Sequence, residues 1–155
     1  ADLAELYRRA YEPYIEVQKV AVERTGRTDA STMGIIDSST YLADHLHDVP
    51  VHVVPCILDR PPANAKQGLL AGFYGSVLPA VWSFQLALRS RGLGSAWTTL
   101  HLEYEAEAAE ILGIPSTVSQ VALLPVAYTI GTEFKPGTRR PAEEVTYFNA
   151  WKASG

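Results

Sequence analysis

The sequence predicts a single α+β domain over residues 1–155, in which helices flank a small layered sheet and one long helix lies at the centre. Three observations lead to this prediction. Apolar side chains recur at helical spacing in several segments, two short runs are rich in apolar and β-branched residues, and glycines and prolines separate these stretches. At 155 residues the chain is long enough to bury one sizeable core.

The first part of the chain is predicted to be mainly helical. Residues 2–25 carry apolar side chains at helical spacing, and we expect Pro13 to divide this stretch into two helices. A further helix is expected over about 34–46, before Pro50. Residues 52–58 form a β-branched run that predicts a buried strand.

A loop and a central helix follow. Residues 59–67 contain two consecutive prolines, and they form either a mobile lid or a plain connector. The helix predicted over about 77–91 is apolar on nearly all sides, which indicates a buried core helix. Ser76 is expected to cap its beginning, and Gly92 suits its end.

The second half adds one helix, one strand and a tail. Acidic residues begin a short helix over 103–112, where they favour the helix dipole on a solvated face, and Gly113 ends it. The apolar run 121–128 predicts another buried strand. Residues 142–155 form a tail whose aromatic side chains would expose an apolar patch, which indicates an interface.

The most informative segment is Gly92–Thr99, with the sequence GLGSAWTT. Its glycine, serine and alanine residues leave room for a flat group to approach the main chain closely. Trp97 packs either against such a group or in the core. The hydroxyls of Thr98 and Thr99 offer hydrogen bonds to the polar edge of a ligand, or the two residues simply suit a strand.

A basic segment near the C-terminus is the second candidate site. Arg139 and Arg140 follow Gly137 and Thr138, and guanidinium donors beside a hydroxyl suit a phosphate. Lys135 is a weaker candidate. Composition alone favours a turn with solvated arginines.

Three blocks carry a resemblance to a known family. They are Ser76–Val81 (SVLPAV), Gly92–Trp97 (GLGSAW) and Arg139–Pro141 (RRP), with the apolar run 121–128 before the last. In this order they resemble the C-terminal part of the FMN-dependent nitroreductase family, over roughly residues 74–145. The resemblance implies a nitroreductase-like α+β fold that is dimeric in the family.

The resemblance also implies a function, that of a flavoprotein oxidoreductase. In the family FMN lies at a homodimer interface, NAD(P)H reduces it by hydride transfer to N5, and a nitroaromatic or quinone-like acceptor then takes the electrons in a ping-pong reaction. Trp97, Thr98 and Thr99 match residues that line the flavin ring, and Arg139 matches the arginine that binds the phosphate. No side chain is assigned as a catalytic acid or base.

Two alternatives to this function stay open. The nearer is another chemistry on the same scaffold, such as dehalogenation, flavin destruction or ene reduction. The more distant is a non-catalytic protein that binds or stores flavin, or an interaction module that has lost it.

The sequence also departs from the family pattern. The Arg-Ser-x-Arg segment and the Pro-Ser-x-x-Asn-x-Gln-Pro-Trp segment that open family members are not found in it. We therefore expect this chain to be the later part of a longer polypeptide, with half of the cofactor site on residues outside it.

Charge and residue spacing argue against other classes of function. The net charge of −4 makes nucleic acid or an anionic membrane an unfavourable partner, and no apolar run approaches the roughly 20 residues of a membrane span. The single Cys56 predicts an inert thiol, and a lone cysteine fits a reducing, cytoplasmic compartment. No metal site is expected, because the histidines do not share a metal-binding spacing: His45, His47, His52 and His101.

Overall fold

The computed structural model describes residues 2–26, 28–131, 133–134, 137 and 139–152. Five helices and five strands lie in this part of the chain, together with three short 3-10 helices. The helices are α1 Asp2–Thr25, α2 Ala30–His45, α3 Gln67–Gly75, α4 Leu78–Arg89 and α5 Glu105–Leu112. The strands are β1 Val51–Val53, β2 Cys56–Ile57, β3 Leu93–Ser95, β4 Ser119–Gln120 and β5 Leu124–Tyr128. The 3-10 helices are Leu46–Asp48, Leu100–Tyr104 and Ala142–Glu144.

The strands form two small antiparallel sheets. In the larger sheet β5 lies between β1 and β3, with Val51 opposite Val126 and Leu93 opposite Tyr128. In the smaller sheet β2 pairs with β4. This mixture of helices with a small sheet confirms the predicted α+β class, and the pairing supplies the strand directions that the sequence left open.

The main core lies where α1 packs against α2, α5 and the 3-10 helix Leu100–Tyr104. Its apolar members come from residues 3–46 and 108–123, so long-range contacts hold the helices together. The buried members are Leu3, Ala4, Leu6, Tyr7, Tyr11, Ile15, Ala43, Leu46, Ala108 and Leu123.

The prediction that Pro13 divides the first helix is wrong, because α1 runs without interruption from Asp2 to Thr25. A proline inside a helix costs about 3 kcal/mol, since its ring opposes the preceding turn and it lacks an N–H group. Buried side chains lie on both sides of it, Tyr7 before and Ile15 after. Each buried side chain of this size contributes roughly 1.5–3 kcal/mol, which outweighs the cost of the proline.

The predicted strand over 52–58 is present, but it is divided into β1 and β2, which join different sheets. Pro55 lies between them and has no N–H group for a continuous ladder, while its carbonyl accepts a hydrogen bond from Val121 at 2.9 Å. Both strands are half-buried for most of their length rather than fully buried.

Of two predicted helix ends, the structure confirms the one at Gly113 and contradicts the one at Ser76. Gly113 ends α5 with a φ of 66°, a left-handed conformation that favours glycine, so this prediction is confirmed. Ser76 does not cap the start of α4. It lies at the end of α3, and its hydroxyl donates to the carbonyl of Phe73 at 2.7 Å.

The central helix differs most from its prediction. It is α4, and only Val81 and Leu88 are buried along it. Trp82 is 62% exposed and Leu86 is 54% exposed. A helix that is apolar on all sides is expected to be covered. The sequence pattern does not distinguish coverage by the same chain from coverage by another molecule.

The stretch Gln67–Arg89, which comprises α3 and α4, is long and apolar enough to cross a membrane by length and composition alone. Its mean hydropathy is 1.3, and almost none of it is buried within this chain. Glycines and Ser76 interrupt its apolar residues, which is why the sequence showed no unbroken apolar run there. Core helices of soluble proteins pass the same test, so the finding does not assign a membrane location.

Candidate functional site

The segment Trp97–Thr99 is fixed by backbone pairing with the core. The N–H group of Thr98 donates to the carbonyl of Leu123 at 3.1 Å, and the N–H group of Leu123 donates to the carbonyl of Thr98 at 2.7 Å. Leu123 is fully buried. Immediately afterwards the carbonyl of Thr99 accepts from the N–H group of Leu102 at 2.9 Å and begins the next 3-10 helix. The two flanking side chains are thus held at a defined position on the surface.

A cleft of about 550 Å³ lies in front of this segment. Its walls come from α1, α2 and residues 96–100, and they present aromatic rings and hydroxyl groups. The lining residues are Tyr7, Tyr11, Tyr14, Ile35, Ser38, Ser39, Tyr41, Leu42, Ala96, Trp97, Thr98, Thr99 and Leu100. The volume is within the range of small-molecule sites, about 300–1,000 Å³.

The structure brings three of the four predicted site residues together at this cleft. Trp97 is 39% exposed there, so part of its ring is available to a ligand. Thr99 is exposed, and its hydroxyl makes no hydrogen bond within the described part of the chain. Thr98 is half-buried, and both its N–H group and its hydroxyl already have partners. Among these three residues, Trp97 and Thr99 therefore offer the available side chains.

The partner of the Thr98 hydroxyl is Tyr7 on α1, and the distance between the two oxygens is 2.9 Å. The Tyr7 side chain is 2% exposed. Burial raises the pKa of the Tyr7 phenol, although the hydrogen bond donated by Thr98 acts in the opposite direction. Tyr7 therefore remains a neutral phenol at ordinary pH.

The fourth predicted residue, Arg139, does not line this cleft. It is exposed and lies outside the regular elements, with its guanidinium close to Gly137. Thr138 and Lys135 lie outside the described residues.

The cleft fits the flat ring of FMN better than its phosphate. Its lining contains no charged side chain, so among the described residues it suits a flat, uncharged ring. A phosphate needs a cation such as Arg139 from beyond the cleft.

A second cleft of about 570 Å³ lies against β3 and α4. Its lining includes Gln85, and Arg89 stacks over the ring of Phe134 at 4.7 Å. Gly94 lies in this lining, and a Cβ atom there would collide with the side chain of Thr129. The glycine is thus required by packing within the chain, a reason that the sequence did not reveal.

A charged network that the sequence did not predict joins Arg60, Glu105 and Gln120. The guanidinium of Arg60 binds both carboxylate oxygens of Glu105 at 2.9 Å and donates to the carbonyls of Ser116 and Val118. Glu105 also accepts from the N–H group of Gln120 at 3.1 Å. Arg60 holds the pKa of the Glu105 carboxyl below its usual value. Glu105 was expected on a solvated face, because no local spacing relates it to Arg60, which lies 45 residues away.

His101 lies beside this network and is fully buried. Both of its ring nitrogens lack a hydrogen-bond partner within the described chain. Burial lowers its pKa to about 4, and the nearby Glu105 carboxylate offsets only part of this effect. The side chain is therefore neutral at ordinary pH. Its position in the sequence gave no sign of burial, because it stands in a 3-10 helix without a clear apolar face.

Comparisons with known proteins agree with the resemblance found in the sequence. The family model described as the nitroreductase family matches residues 1–128. No curated protein matches the chain.

Two solved structures show a similar fold. Oxidized iodotyrosine deiodinase, bound to FMN and 3-iodo-L-tyrosine, has a TM-score of 0.63 and 18% identity, and the match covers 97% of this chain and 70% of that one. The nitroreductase-like family protein from Bacillus cereus has a TM-score of 0.55 and 21% identity, with coverage of 95% and 66%.

The buried His101 generates a prediction on pH. Its pKa of about 4 in the folded protein lies below the ordinary value of 6.5, so between these values the unfolded chain binds a proton that the folded chain does not. We expect this residue to lower the free energy of unfolding as the pH falls from 6.5 to 4, by up to about 1.4 kcal/mol per pH unit. Urea denaturation across this range measures the slope.

The matched variants are His101→Leu and His47→Gln. The first removes the buried titrating group, and we expect a shallower slope. The second changes a half-exposed histidine and controls for the loss of an imidazole at the surface. An identical slope for the original protein and His101→Leu would contradict this account.

Proposed function

The chain belongs to the nitroreductase family, and on that premise we propose that it is an FMN-dependent oxidoreductase. The proposed reductant is NAD(P)H, and the proposed acceptor is a nitroaromatic or quinone-like compound. The observation that carries this proposal is the cleft in which Trp97, Thr98 and Thr99 meet the tyrosines of α1. Its aromatic and hydroxyl lining suits a flat ring with a polar edge.

FMN, when bound, would supply hydride chemistry, taking two electrons from NAD(P)H and passing them to the acceptor in ping-pong order. In this proposal the chain's own residues bind and orient the ring. Trp97 packs against one part of it, and the Thr99 hydroxyl hydrogen-bonds its polar edge. Arg139 binds the phosphate from outside the cleft.

The solved deiodinase supports FMN as the cofactor, because that protein contains FMN in a similar fold. It also keeps dehalogenation open as the chemistry, since its second ligand is an iodinated amino acid. The uncharged lining of the cleft in this chain favours an uncharged acceptor over an amino acid, whose two charged groups call for charged partners.

We also propose that the protein is a homodimer with FMN at the interface, which rests on the exposed apolar surface of α4. Leu78, Trp82 and Leu86 lie four residues apart on one face of this helix, and all three are exposed. A contiguous apolar surface of this kind marks an interface in soluble proteins. The aromatic tail around Phe148 and Trp151, each nearly 80% exposed, adds a second apolar surface that a partner chain would cover.

The visible absorption spectrum of the purified full-length protein, before and after anaerobic addition of NAD(P)H, tests the function. We expect a flavin spectrum that bleaches, because a bound flavin accepts a hydride from the nicotinamide. A flavin spectrum that persists would indicate storage or another reductant. No flavin after incubation with FMN would contradict the proposal.

Arg139→Ala tests the proposed phosphate contact. We expect the free energy of FMN binding to weaken by about 1.5–3 kcal/mol, the range for hydrogen bonds to charged groups. A fluorescence titration measures the affinity. The matched control is Arg140→Ala, which removes the neighbouring guanidinium and should leave the affinity nearly unchanged. Equal affinities in the original protein and Arg139→Ala would remove this residue from the site.

Trp82→Glu tests the proposed dimer. The original protein is expected to sediment at twice the mass of its chain, and the variant at the mass of one chain, because a carboxylate at the interface would lose its solvation. Val17→Glu is the control, since Val17 is 65% exposed on α1, which packs against α2, α5 and the 3-10 helix Leu100–Tyr104. A monomeric original protein, or a fully dimeric Trp82→Glu variant, would contradict the proposed interface.

A further inference from the structure

The Tyr7 hydroxyl accepts one hydrogen bond, and the described part of the chain offers no acceptor for its own proton. Thr98 donates to the phenol oxygen at 2.9 Å. Among the described residues, no hydrogen-bond acceptor for the Tyr7 O–H group is found. A buried donor without an acceptor is unfavourable and uncommon in folded proteins. The hydroxyl is thus held in place by Thr98 while its donor remains available.

A neighbouring tyrosine shows that this arrangement is particular to Tyr7. Tyr11 lies one helical turn further along α1 and is buried to a similar degree. Its hydroxyl lies 3.1 Å from the Ser39 hydroxyl and 2.7 Å from the Thr40 hydroxyl. Both of these hydroxyls donate their own protons to the carbonyl of Ile36, so they serve as acceptors for the Tyr11 proton. Both tyrosines line the same cleft, but only Tyr7 leaves a donor unused.

The chemistry of the cleft defines what such a donor would bind. Among the residues that the structure describes, no charged side chain lines the cleft, and the rings of Trp97 and Tyr14 are partly exposed in it. A flat, uncharged ring would pack against these aromatic surfaces. A carbonyl-type oxygen at its edge would accept the Tyr7 proton in a hydrogen bond.

We propose that Tyr7, held by Thr98, is a binding residue that donates a hydrogen bond to a carbonyl-type oxygen of an uncharged planar ring bound beside Trp97. This inference rests on the proposed function and adds a residue to it. Two sources share the required chemistry, the ring of the cofactor and a quinone-like acceptor. The raised pKa of the buried phenol agrees with this role, because the proton stays on Tyr7 at neutral pH.

The variant Tyr7→Phe tests the proposal by equilibrium binding to the full-length protein. It removes only the hydroxyl and keeps the buried ring. The dissociation constant for FMN is measured by fluorescence titration. The constant for 1,4-naphthoquinone is measured on FMN-free protein through quenching of tryptophan fluorescence, with Trp97→Phe to identify the signal from the cleft. The control is Tyr104→Phe, which removes a hydroxyl from another tyrosine packed against the main core but outside this cleft.

We expect Tyr7→Phe to raise one of the two dissociation constants by about 3- to 10-fold, the size of one neutral hydrogen bond, and Tyr104→Phe to raise neither. A change for FMN alone identifies the cofactor ring as the ligand, and a change for naphthoquinone alone identifies the acceptor. Thr98→Val serves as a second variant. It removes the group that holds the Tyr7 hydroxyl, and we expect the same dissociation constant to rise. This variant tests the proposal if circular dichroism shows that Tyr7→Phe does not fold.

Unchanged constants for both ligands in both variants would overturn the proposal, and so would failure of the original protein to bind either ligand. Failure to bind either ligand would also contradict the proposed function, whereas unchanged constants in a protein that binds FMN would leave that function standing. A protein that binds FMN or naphthoquinone through Tyr7, but is not bleached by NAD(P)H, would retain this inference and lose the reductase activity.

Discussion

The pairing of Thr98 with Leu123 is the constraint on which the candidate site depends. Leu123 is fully buried and precedes β5, the strand that joins β1 to β3. Two backbone hydrogen bonds attach Thr98 to this interior position, and a third interaction attaches its hydroxyl to Tyr7 on α1. The position of Trp97 on the surface is therefore fixed by its attachment to the core. A site held in this way is pre-organised for a rigid ligand.

The sequence predicted the existence of most elements, and it failed where tertiary contacts override local signals. Pro13 illustrates such an override, because side chains buried on both sides of it keep α1 continuous. The predicted strand over 52–58 failed in a different way. Its residues have the expected propensity, but Pro55 allows its two halves to join different sheets. Propensity describes each residue alone, whereas these outcomes depend on partners more than 60 residues away.

The candidate site was predictable only in part, for related reasons. The segment GLGSAWTT is a local pattern, and it led to Trp97, Thr98 and Thr99 before any contact was known. No such local pattern surrounds Tyr7, because its spacing matches that of any apolar position of an amphipathic helix. Its role emerges from a hydrogen bond across 91 residues. The exposure of α4 was likewise hidden, because an apolar helix gives the same pattern in a core and at an interface.

The contacts of α1 also bear on how the protein is made in the cell. This helix packs against residues that follow it by most of the chain, as in the ion pair between Arg9 and Glu107, which lie 98 residues apart. At ordinary ribosomal rates of about 5–20 residues per second, that separation corresponds to roughly 5–20 s of translation. The part of the apolar face of α1 that packs against α2 can be covered early, but the part that packs against α5 and the 3-10 helix Leu100–Tyr104 stays unpaired for this time. The nascent chain is thus exposed to aggregation for that period, and chaperones that bind apolar helices have that long to act on it.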